Sequence, residues 1–323
     1  MRCHRRRMVL ALATSLIVGT ACSSGGDSAE PAAPTVVSTE APTTTEPTAE
    51  GPRIVLDDPG AEPRRVLLLR VTAGDELRLT MESRIGIELT INGREAPATE
   101  APNSSTILDQ RVERVDPDGT VHFTVSVADV AVDGADPDMV RETQAALSQM
   151  IGLLGTGSVD AHGAAQSMDF DTSAIADPQI KATLDSVSSQ ISNLSAPFPR
   201  EPVGVGARWT VTSSATISGI TMNTTTRYTL RRLSGDHYEL EYTQDGDAPP
   251  GPVTLPGTPA SARASIRSFI MESTGETIGD LTRHVPATNR FDGTGDATMT
   301  MTVGGDRLTL DQHLVIGYRL SAA

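Results

Sequence analysis

The sequence predicts a mainly β protein, a β-rich α+β fold in which two antiparallel β-meander halves form a curved sheet or half-barrel with about two packed α-helices. Three observations predict it. From Arg64 onward, apolar and polar residues alternate with a period of two through one segment after another. Turn signals separate these segments, among them Ala73-Gly74-Asp75, Asn92-Gly93 and Asp116-Pro117-Asp118-Gly119. Only two stretches change to helical spacing, one after Asp136-Pro137 and one after Asp177-Pro178.

In chain order, residues 1–21 read as a secretory signal. Arg2, Arg5, Arg6 and Arg7 precede an uncharged apolar run, Met8 to Val18. That run is too short for a bilayer, which takes about 20 helical residues. Small residues, Val18-Gly19-Thr20-Ala21, then lead to Cys22. Residues 22–62 read as a disordered tether, rich in Pro, Thr, Ser, Ala and Glu. Such a composition buries too little apolar surface to offset the entropy of ordering. Its prolines favour extended conformations, and its reach is at most on the order of 100 Å.

Residues 63–200 form the first half. Val66 to Val71 alternate as a strand. Leu77, Leu79 and Met81 share one face, which Ile85, Ile87, Leu89 and Ile91 continue to the Asn92-Gly93 turn. Strands resume at Ile107–Val115 and Val121–Val132. Asp136 caps the first helix, and Pro137 fits its first position because the missing N–H would have no helical partner there. The helix carries an apolar stripe from Met139 to Leu154 and ends at Gly155. A short strand falls within Ser158–Phe170. The second helix places Ile180, Leu184, Val187, Ile191 and Leu194 on one face and stops at Pro197 and Pro199.

Residues 201–323 form the second half, and their order echoes the first. Trp209 and Val211 follow Gly206 as Leu77 and Leu79 follow Gly74. Arg227 to Leu233, the Ser234-Gly235-Asp236 turn and Tyr238 to Tyr242 echo Arg111 to Val115, the Asp118-Gly119 turn and Val121 to Val125. A Pro/Gly loop spans Ala248–Pro259. Strands near Ala264–Ser273, Glu276–Arg283, Ala297–Val303 and Arg307–Tyr318 close the chain, the last two joined at Gly304-Gly305.

Composition excludes several chemistries. The two cysteines, Cys3 and Cys22, leave the exported fold without a disulfide, a thiol nucleophile or a thiolate metal ligand. Losing residues 1–21 removes four arginines and no acid, which takes the formal charge from −15 to −19. An acidic surface of that kind does not seek nucleic acid. The histidines His122, His162, His237, His284 and His313 are scattered singly, with no ligand spacing. No Gly-x-Ser-x-Gly elbow occurs, and Lys181, the sole lysine, lacks a serine three residues before it. Gly204-x-Gly206 reads as a tight turn that positions Trp209 rather than a phosphate loop, since no helix follows. Asp116-Pro117-Asp118-Gly119 reads as a hairpin turn rather than a calcium loop, which needs more acids and a closing Glu. Asp169 and Asp171 read as solvated. No catalytic residue, cofactor or metal is expected.

The residues before Cys22 resemble the lipobox of bacterial lipoproteins, with Gly19 where that family usually has Leu. The resemblance implies that Cys22 carries diacylglycerol and becomes the first residue after cleavage. Two acyl chains make a stable anchor at about 0.8 kcal/mol per buried methylene. From Arg64 to the end, the chain resembles an uncharacterised family of actinobacterial lipoproteins. The features that carry this are Gly74-Asp75, Asp118-Gly119 and Pro202-Val203-Gly204-Val205-Gly206-Ala207-Arg208-Trp209. The twenty-five arginines against one lysine accord with a GC-rich source. That family has no assigned activity, so it implies no catalytic residues. The architecture also resembles, more weakly, lipid-carrying mycobacterial lipoproteins, which fold a half-barrel sheet over helices.

The expectation is a membrane-anchored, extracytoplasmic lipoprotein on the outer face of the cell membrane, without enzymatic activity. It would be a binding module for a hydrophobic or envelope-derived ligand, with the membrane and envelope proteins as partners. The alternative is a structural or interaction lipoprotein with a filled core. An apolar pocket above roughly 300 Å³ separates the two.

Overall fold

The alternating segments are strands. The computed structural model describes residues 52–96, 99–172, 188, 196–217, 220–253, 263–303 and 306–323. Among these, fifteen strands pair into one antiparallel sheet, joined by one helix. The main strands are β1 (Arg53–Asp58), β2 (Glu76–Ile91), β5 (Asn103–Val115), β6 (Val121–Asp133), β7 (Leu154–Val159) and β8 (Ala165–Phe170). The second half adds β9 (Arg208–Ile217), β10 (Ile220–Ser234), β11 (His237–Asp247), β13 (Arg263–Asp280), β14 (Thr288–Val303) and β15 (Asp306–Ala322). Short β3 (Arg94–Glu95) and β4 (Thr99–Glu100) pair with β2, and β12 (Gly251–Val253) pairs with β13.

The strand order is β1-β9-β10-β11-β13-β14-β15-β2-β5-β6-β7-β8, so each half is a meander. The halves join where β15 pairs with β2, and the sheet is not closed, with β1 and β8 as its edges.

The echo between halves extends to hydrogen bonds. Gly74 and Gly206 both adopt positive φ, +94° and +86°, which costs glycine no Cβ clash. Gly74 N–H donates to Val112 C=O, and Val112 N–H to Asp75 C=O. In the second half Gly206 donates to Leu230, and Leu230 to Ala207. A register shift follows at the same place, between Val112 and Arg114 and between Leu230 and Arg232. Asp160 and Asp280 then each turn the chain, their carboxylates accepting from the N–H two residues on. Each half also gains a strand from the far end of the chain: β1 flanks β9, and β15 flanks β2.

Several parts depart from the sequence reading, among them the strands expected near Ala264–Ser273 and Glu276–Arg283, which are one strand, β13. β1 lies inside the stretch read as tether, because Ile54 and Leu56 pack onto the cluster around Trp209. Residues 66–71 are not a strand. They form a strap that bonds to separate turns, Leu69 N–H to Ala161 C=O and Arg70 N–H to Leu281 C=O. Helix α1 spans Pro137–Ser148, earlier in its end than the apolar stripe suggested. Its Asp136 cap accepts from the N–H groups of Asp138 and Met139 as expected, but Gly152 N–H bonds to Val127 C=O and Leu154 opens β7. The second expected helix lies outside the described residues apart from Ser188. No helix among the described residues is long and apolar enough to cross a membrane.

One end of the sheet is closed by chain that is not sheet. Residues 59–72, 196–207 and 281–287 cross there, and it is called the strap end below. Phe198 N–H donates to His162 C=O between β7 and β8. The Phe198 ring lies 6.3 Å from Trp209 on β9. These contacts bring together strands from opposite ends of the order. Trp209, Phe198, Leu67, Leu230, Leu240 and Leu281 are fully buried in this core, and Trp209 Nε1–H donates to Pro197 C=O at 3.0 Å.

Candidate functional site

The inner face of the sheet, on which Leu77, Leu79 and Met81 lie, changes character along the strands. At the strap end it is packed. Val285 from the 281–287 segment joins Leu79, Leu108, Val125 and Leu320 in one cluster. His284 on the same segment is buried, with Nε2 2.9 Å from Gln110 Oε1 and its ring 4.8 Å from Phe123. Burial disfavours the imidazolium and pushes the His284 pKa down to about 4, against a smaller upward pull from Asp75.

Next along the strands comes an aromatic row set by register. Tyr228 pairs with Trp209 and with Tyr242. Tyr242 pairs with Gly275, Gly275 with Phe291, and Phe291 with Tyr318. The only tryptophan and three of the four tyrosines thus share one line. Trp209 and Tyr228 stack with centroids 5.4 Å apart. Tyr242 lies over Gly275, where a Cβ would run into its ring and into the Arg290 carbonyl. Burial raises the pKa of Tyr228, Tyr242 and Tyr318, so their hydroxyls stay protonated donors. Tyr242 donates to Asn289 Oδ1 at 2.9 Å. The Tyr318 hydroxyl is buried and has no hydrogen-bond partner among the described residues. An unsatisfied group of this kind costs about 1–3 kcal/mol.

Beyond the row β2 and β15 present a mainly aliphatic face, with the buried Gln312 opposite Leu89. Ile316 pairs with Ile85, Leu314 with Ile87, and Leu310 with Ile91. Ile85, Ile87, Leu89 and Ile91 are only half-buried, whereas Leu79 at the strap end is fully buried. At the distal end Ile266, Met299, Met301 and Leu310 form a cluster that Met222, Phe269 and Leu89 flank. Methionine adapts its shape readily, which suits a surface that must fit more than one partner. The inward positions of β2, and those of β15 from Leu308 to Ala322, carry no charge.

The outer face is the opposite. Arg78 and Asp109 pair at 2.7 Å, Arg231 and Glu241 at 2.5 Å, and Arg290 and Asp292 at 2.9 Å. The hydrogen bond from Arg78 holds the Asp109 carboxyl below the usual range. Here the sheet carries a cavity of about 560 Å³, lined by Arg227, Arg231, Glu241, Glu276, Arg290 and Asp292 with threonines between them. It is polar and lies behind the aromatic row, so it is not the apolar pocket the sequence led one to seek.

Other sequence candidates resolve into structure. The Asp116–Gly119 segment is a hairpin turn, with Asp116 N–H bonded to Thr120 C=O. His122 pairs with Asp116 at 2.7 Å, and His313 with Asp296 at 2.8 Å, both on the outer face. Asp169 and Asp171 are exposed. No three His, Cys, Asp or Glu side chains among the described residues converge as a metal site. Cys22 lies outside the described residues.

No family model matches the chain, and no curated protein matches it. Among solved structures, an outer membrane protein, OmpT from Vibrio cholerae, matches at 8% identity. It covers 76% of this chain and 100% of its own, with a TM-score of 0.16. The TodX monoaromatic hydrocarbon channel matches at 7% identity over 78% of this chain and 91% of its own, with a TM-score of 0.13.

Proposed function

We propose that this chain is a non-enzymatic, extracytoplasmic binding module, held to the outer face of the cell membrane through a lipidated Cys22. Its sheet is a half-barrel that takes a hydrophobic or envelope-derived ligand on its inner face. The observation that carries this reading is the uncharged inward surface of β2, packed at Leu77, Leu79 and Met81 and only half-buried at Ile85, Ile87, Leu89 and Ile91 beyond the aromatic row. Ligand sites are concave and mostly apolar, with few polar groups.

A second reading is an envelope interaction protein with a filled core. It draws support from the buried distal cluster and from a cavity that is polar and faces outward. Native mass spectrometry of the full chain, extracted from its own membranes, separates the two. A bound lipid in addition to the anchor is the expected mass, and a bare lipidated chain favours the filled core. Labelling with a fatty-acid analogue is expected to mark the wild type and not Cys22→Ser. An unlabelled wild type would remove the anchor from the account.

A further inference from the structure

Resting on the inner-face reading above, we propose that the ligand is a neutral amphiphile. Its hydrogen-bond-accepting head, an ester carbonyl or a hydroxyl, takes the Tyr318 hydroxyl. Its hydrocarbon lies along Ile85, Ile87 and Ile316 toward the distal end.

The two tyrosine hydroxyls nearest the middle of the face differ in one respect. Tyr242 donates to Asn289, whereas Tyr318 donates to nothing among the described residues. Tyr318 stands at the boundary between the two kinds of surface. Phe291 neighbours it on one side and Ser83 on the other, and Ser104 follows Ser83. Two residues toward the distal end the aliphatic pairs begin, Ile316 with Ile85 and then Leu314 with Ile87. A buried donor at the inner limit of an apolar surface orients an amphiphile with its head at the donor and its chain outward. The head is neutral because no inward position of β2, nor of β15 between Leu308 and Ala322, carries a charge. A carboxylate or phosphate there would lose its hydration with no counter-charge to replace it.

The test uses the full chain and three probes: diphenylhexatriene as a headless hydrocarbon, 1-monodecanoylglycerol as a neutral amphiphile and decanoate at pH 8 as its anionic counterpart. Wild type and Tyr318→Phe are expected to bind diphenylhexatriene equally, which also shows that the variant folds. Monodecanoylglycerol is expected to displace the dye about fivefold less well from Tyr318→Phe, the loss of one neutral hydrogen bond. Decanoate is expected to compete more weakly than monodecanoylglycerol on the wild type. Equal displacement from both proteins overturns the head assignment while leaving the hydrophobic reading in place. Stronger competition by decanoate overturns the neutral class. Failure of the wild type to take up the dye overturns the inner-face reading itself.

Discussion

The two ends of the inner face are made from the same strands and do different things. At the strap end, Trp209, Leu230, Leu240 and Leu79 are buried by chain that leaves the sheet and crosses back over it. Beyond the aromatic row, Ile85 and Ile87 continue the same alternation on the same strand, yet stay half-buried. β13 alone has 18 residues, about 60 Å of strand. Helix α1, with 12 residues, packs chiefly on β6. Crossing chain therefore covers one end, whereas beyond the row Leu310, Leu314 and Met299 are buried and the β2 isoleucines are not. Substitutions at the two ends should separate folding from binding.

The largest effect is expected at the strap end. Trp209→Ala removes the largest buried ring and the hydrogen bond to Pro197, and should cost about 3–5 kcal/mol by urea unfolding. Loss of less than about 1 kcal/mol would mean that this end is not the core.

Acid acts on the same end through His284. Its folded pKa, about 4, lies below the unfolded 6.5, so the unfolded chain binds the extra proton between those values. The contribution is whole above pH 6.5 and is lost as pH falls toward 4, on the order of 3 kcal/mol in all. Stability of His284→Gln followed from pH 7 to 4.5 should decline less than that of wild type. Parallel curves would place the acid sensitivity elsewhere.

At the boundary, Gly275→Ala forces a methyl group against Tyr242 and the Arg290 carbonyl. It should cost about 1–3 kcal/mol and disturb tyrosine near-UV dichroism. An unchanged spectrum would show that the aromatic row is looser than described. Smaller again, Ile87→Ala should cost about 1 kcal/mol of stability, because the side chain is half-buried, while weakening uptake of diphenylhexatriene. Equal dye binding would erase the difference between the ends. On the outer face, Asp109→Ala breaks an exposed ion pair with Arg78 and should change stability by less than about 1 kcal/mol.

Much of this fold was legible in the sequence because strand alternation and turn chemistry are local. Asn92-Gly93, with φ of +52° and +75°, and Asp116–Gly119 turn the chain where their residue types demand. Asp136 caps α1 for the same reason. The echo between halves was visible as apolar residues falling on apolar residues around Gly74 and Gly206, and it holds at the level of hydrogen bonds. What escaped was set by long-range contact. The alternation of Val66 to Val71 cannot distinguish a strand from a strap held by two remote turns. The aromatic row joins residues from 209 to 318, and no pattern within a single strand discloses it. His284 looked like one more isolated histidine, since its burial depends on Gln110 and Phe123 from the other half. The polar outer cavity is likewise assembled from four strands.

Hydrogen–deuterium exchange on the full chain, with and without saturating 1-monodecanoylglycerol, addresses the division of the inner face most directly. Slowed exchange in residues 85–91 and 310–318, with residues 196–211 unchanged, is the result expected. Protection confined to residues around the outer cavity, or spread evenly over both ends, would contradict it.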